Sequence, residues 1–96
     1  MLASCASPPP SGVKAIVGAR LEAGSIEYSV VVVAEGKVRA VGPQATTPVP
    51  KGSEITDGKG RMIHESIEVG QPADLVLRNA ATGSVVASMK NGEWVK

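Results

Sequence analysis

Apolar residues in this chain come in short runs of Val, Ile and Ala, broken by Gly, Pro, Asn and Asp. No ten-residue stretch places them at the spacing of an amphipathic helix, so the pattern predicts strands throughout. Val13–Arg20 reads as the first strand, with Gly24 in the loop after it. Tyr28–Ala34 follows, and its run Val30-Val31-Val32-Val33 puts apolar side chains on both faces. Such a strand is either covered on both sides at the centre of a sheet or lies at an interface. Glu35-Gly36-Lys37 predicts a tight hairpin turn into Val38–Val41, which Gly42-Pro43 ends. The proline-rich stretch 43–53 is a loop. Glu54–Thr56 and Arg61–Ile63 are short extended pieces around the turn Asp57-Gly58-Lys59-Gly60. Asp74–Arg78 is a strand in which Leu75 and Leu77 oppose Val76, and Thr82-Gly83 turns the chain into Val85–Lys90. Asn91-Gly92 is the strongest hairpin signal present, and Glu93–Lys96 is the last strand. Residues 13–96 are therefore expected to form one all-β domain, a small β-sandwich or open barrel.

Residues 1–12, MLASCASPPPSG, break this pattern. Three consecutive prolines favour polyproline II and exclude a helix or central strand, so the segment is expected to be a disordered leader or linker. Leu2-Ala3-Ser4-Cys5 resembles a bacterial lipobox, which would make Cys5 a lipidation site and the protein periplasmic or lipid-anchored. No charged and then apolar stretch precedes Leu2. The alternative is an inert tail on a cytoplasmic protein.

Composition narrows the chemistry. A single Cys and a single His cannot supply the three or four ligands of a usual zinc site, and one Cys forms no intrachain disulfide. Ten basic and nine acidic residues leave no charge footprint for nucleic acid, and two aromatics form no base-stacking platform. No apolar run reaches membrane-spanning length.

Two stretches carry a resemblance. Glu35-Gly36-Lys37-Val38-Arg39-Ala40-Val41-Gly42 with Ile55-Thr56-Asp57-Gly58-Lys59-Gly60-Arg61-Met62-Ile63 resembles the opening of amidohydrolase-superfamily chains. Gly70-Gln71-Pro72-Ala73-Asp74-Leu75-Val76-Leu77 with the segment from Val86 to Lys96 resembles their closing segment. In that family the two ends fold together as a composite β-sandwich beside a metal-dependent catalytic (β/α)₈ barrel. The barrel would enter between Ile63 and Glu68, where this chain has only His64-Glu65-Ser66-Ile67. The barrel's His-x-His ligands, later histidines, bridging lysine and catalytic aspartate have no counterpart, so no functional residue carries over. The resemblance thus implies scaffold without metal, cofactor or activity, because the family's hydrolysis depends on its metals.

The residues open to catalytic readings have structural ones beside them. His64, near Glu65 and Ser66, suggests a Ser-His-acid set, but no nucleophile-elbow sequence accompanies it, and a polar loop residue is the expectation. Asp57 and Asp74 suit turn and strand-entry hydrogen bonds better than an acid/base pair. Gly36, Gly42, Gly58, Gly60, Gly70, Gly83 and Gly92 read as turn residues, in no phosphate-binding pattern. Tyr28 and Trp94 could share a binding surface, although Trp94 on a terminal strand is expected to seal the core. Val30, Val31, Val32 and Val33 are the candidate self-association strand, because a missing barrel would leave an apolar face bare and favour a homodimer. The expected function is a non-catalytic, stand-alone scaffold or protein-interaction module. The alternative is a hydrolase of C–N bonds that works only with a barrel supplied elsewhere.

Overall fold

The β-branched runs pair into one sheet in a computed structural model that describes residues 13–22 and 24–95. Cys5 and the expected leader lie outside the described residues. Among those residues there are eight strands and no helix. They are β1 (Val13–Leu21), β2 (Ile26–Ala34), β3 (Lys37–Pro43) and β4 (Glu54–Asp57), followed by β5 (Arg61–Ile63), β6 (Leu75–Asn79), β7 (Val85–Lys90) and β8 (Glu93–Val95). The order across the sheet is β3-β2-β1-β5-β6-β7-β8, with β4 also on β1. The all-β expectation holds, and one open sheet corresponds to its open-barrel form.

Most neighbours are antiparallel, as short turns require. Residues 54–63 do something the apolar pattern did not predict. β4 pairs parallel with Lys14–Val17, and β5 pairs parallel with Arg20–Leu21. The turn between them presses on β1 where that strand is irregular, at Gly18 and Arg20. Gly18 takes a φ of 92°, a conformation that glycine reaches without Cβ strain. Ser29, buried beside this bulge, donates its hydroxyl proton to the Ala19 carbonyl at 2.7 Å.

The sheet cannot be flat. Neighbouring strands lie about 4.8 Å apart, yet Val31, Val33 and Val38 from one end share a core with Leu75, Leu77 and Met89 from the other. Ile16, Ala19, Leu21, Ile63 and Ala73 complete that core, with Ile67, Ala87 and Trp94 packed against it. The curl is tied by the segment before β6. Val38 N–H donates to Gln71 O (2.9 Å), Gly70 N–H to Val38 O (2.8 Å) and Ala73 N–H to Gly36 O (2.9 Å). One bridge, Lys37 to Pro72, joins this segment to β3.

The opposite face of β1 and β2 is covered as well. Paired residues share a face, so Ala15, Val17, Val30, Val32 and Gly42 point to the same side. Loop 44–53 must cross from β3, at the sheet edge, to β4 beyond β1. Thr47 stands over this face, since a Cβ on Gly42 would lie 2.5 Å from its Oγ1. Val30, Val31, Val32 and Val33 are consequently only 0%, 0%, 3% and 1% exposed. This corrects the expectation that the run forms a bare face: the strand is central and covered within one chain.

The parallel register depends on Gly58, whose Cβ would meet Ala19 Cβ at 2.7 Å and Ala19 N at 2.8 Å. Gly58→Ala should cost about 3 kcal/mol in urea unfolding, because backbone has to move. Gly60 also has positive φ but has open space around its Cβ direction, so Gly60→Ala should cost about 1 kcal/mol. Equal losses would contradict the packing described for Gly58.

Candidate functional site

Side chains open to catalytic readings fall into separate places. His64 follows β5 and is exposed; its Nδ1 lies 3.0 Å from Glu22 Oε1, at the end of β1. Ser66 is exposed, and no hydrogen bond joins it to His64 among the described residues. Glu65 is engaged elsewhere, since its Oε1 accepts the Val76 N–H at 3.2 Å. The geometry thus brings His64 to Glu22 and takes Glu65 to β6.

Both aspartates make local hydrogen bonds of the expected kind. Asp57 Oδ1 accepts the Lys59 N–H at 2.9 Å, closing the turn between β4 and β5. Asp74 Oδ1 accepts the Asn91 N–H at 2.7 Å and so ties the entry of β6 to the β7–β8 turn. Asn79 does similar work, accepting the N–H groups of Ala81 and Thr82 through its Oδ1. Among the described residues no three His, Cys, Asp or Glu side chains are grouped to hold a metal ion. No helix there is long and apolar enough to cross a membrane.

The two aromatics part company. Trp94 is half-buried and packs on the core, whereas Tyr28 is 59% exposed on the side of the sheet that carries Val30. Tyr28 stands between two adjoining crevices. One, of about 740 Å³, runs along Ile26, Pro43 and Ala45. The other, of about 340 Å³, is lined by Val17, Gly18, Asp57 and Lys59, and Gln44 borders both. Backbone ties define this floor: Gln44 N–H donates to Tyr28 O at 2.9 Å, and Gly58 N–H to Val17 O at 2.7 Å. The single-residue signals in the sequence missed this site, because it is assembled by the β1–β4 pairing.

The structural roles predict unequal losses. Asp74→Ala should destabilise by about 1.5 kcal/mol, the scale of a hydrogen bond to a charged acceptor. His64→Ala should stay within about 0.5 kcal/mol, because its pairing with Glu22 is solvated. The reverse order in chemical denaturation would contradict these assignments.

No family model, curated protein or solved structure matches this chain.

Proposed function

We propose that this chain is a non-catalytic scaffold or protein-interaction module, related in plan to the composite β-domain of amidohydrolases. The observation that supports this reading is the pairing of β5 with β6 through Arg61–Asn79, Met62–Arg78 and Ile63–Leu77. The segments that resemble the two ends of those enzymes are thereby adjacent strands of one sheet. The connection after Ile63 also fits, because His64, Ser66, Glu68 and Val69 are all exposed. That surface position is where a second domain could leave and re-enter without opening the core.

Self-association belongs to the same proposal, with its surface moved from Val30–Val33 to the C-terminal hairpin. Val85, Val86 and Val95 are exposed there, and Val76, Ser88 and Val95 share one face by register. Apolar side chains grouped in this way favour contact with another apolar surface.

Two measurements test the proposal. Purified protein should retain no stoichiometric zinc, manganese or iron after dialysis and should cleave no panel of amides or esters. One metal per chain, with turnover lost in His64→Ala, would establish the hydrolase alternative instead. Light scattering over a concentration series should show a dimer that Val86→Asp and Val95→Asp return to monomer. A strict monomer at every concentration would remove self-association from the proposal.

A further inference from the structure

The crevices around Tyr28 have a charge arrangement that the scaffold reading does not use. Asp57 and Lys59 lie two residues apart on one turn and both line the smaller crevice. They do not neutralise each other: the ion pairs among the described residues are Arg39–Glu35 and His64–Glu22. Opposite charges therefore border one crevice beyond ion-pair distance. The Gln44 amide and the Tyr28 hydroxyl, which line the same crevice, make no side-chain hydrogen bond among the described residues. The adjoining crevice is walled by Ile26 and Pro43.

The floor of this site is built before any ligand arrives. Asp57 spends one carboxylate oxygen on the Lys59 N–H, which leaves Oδ2 free to accept. The turn is anchored at both ends, by Gly58 N–H to Val17 O (2.7 Å) and Ala80 N–H to Gly60 O (2.9 Å). Sites held on paired strands and a tied turn lose little ordering entropy on binding.

We infer that this is a binding site for a free α-amino acid with an apolar side chain. The ammonium group would meet Asp57, the carboxylate would meet Lys59 and the Gln44 amide, and the side chain would lie across Tyr28 toward Ile26 and Pro43. A zwitterion satisfies both charges at once, which neither a simple carboxylate nor a simple amine does. Because the charged groups are solvated, affinity falls in about the millimolar range.

The test is an NMR titration of the full chain with L-leucine. Amide shifts should cluster at Gly18, Tyr28, Gln44 and Lys59. N-acetyl-L-leucine lacks the ammonium, L-leucinamide lacks the carboxylate and glycine lacks the apolar side chain. Each should bind about tenfold more weakly, the loss of roughly 1.4 kcal/mol. Asp57→Asn keeps the turn's acceptor while removing its charge, and it should lose a similar factor. Lys59→Gln should do the same, and it carries the test alone if Asp57→Asn fails to fold. The inference is overturned if no shifts appear at these residues, if either single-charge analogue binds as well as leucine, or if folded Lys59→Gln binds unchanged.

Discussion

The curl of the sheet rests on a contact between two backbone turns. The β2–β3 turn places Glu35 and Gly36 at φ values of 55° and 78°, and the β7–β8 turn places Asn91 and Gly92 at 50° and 82°. This is the paired positive φ of tight hairpins whose twist matches their strands. The two turns press together so closely that a Cβ on Gly92 would lie 2.7 Å from Gly36 Cα. Ala73 threads the junction, donating to Gly36 O and accepting the Gly92 N–H at 3.1 Å. The Asp74 carboxylate holds the Asn91 N–H beside it. Residues from three parts of the chain thus meet through backbone, and no side chain larger than Ala73's methyl enters.

Everything enclosed by the sheet follows from that meeting. With the turns in contact, Val33 and Val38 lie over the same interior as Leu75 and Met89. A chain with so few aromatics has little volume with which to fill a wide core. Drawing the two ends of one sheet together keeps that core narrow enough for Val, Ile, Leu and Ala. The sheet's irregularities serve the same geometry. Bulges interrupt β3 opposite Val32–Val33 and β7 opposite Leu77–Arg78. Bulges increase local twist, and near sheet edges they also discourage pairing with other strands. The outer side of β1 and β2 is left to the proline-rich loop, which covers the valines and stops short of Tyr28.

Local chemistry was readable in the sequence wherever a few neighbouring residues decide the outcome. The strands, the Asn91-Gly92 hairpin and the Asp57 turn all fall into that class. Gly18 and the parallel pairing of β4 and β5 do not, because they arise from residues some forty positions apart. Val30–Val33 was ambiguous for a physical reason: a run apolar on both faces states that both will be covered, but not by what. Thr47 and its loop decide it. Tyr28, Asp57 and Lys59 look unrelated along the chain, and only the Val17–Asp57 and Val17–Val30 registers bring them to one surface.

The central claim is that residues before Ile63 and after Glu68 form one cooperative unit through β5–β6 and the turn junction. Native-state hydrogen exchange over a denaturant series measures this directly. Amides in β1–β3 and in β6–β7 should converge on a single global unfolding free energy, and Gly92→Ala should lower both sets together. If the β6–β7 amides instead open by a separate, lower-energy route while β1–β3 stays protected, the two halves are independent and the account is contradicted.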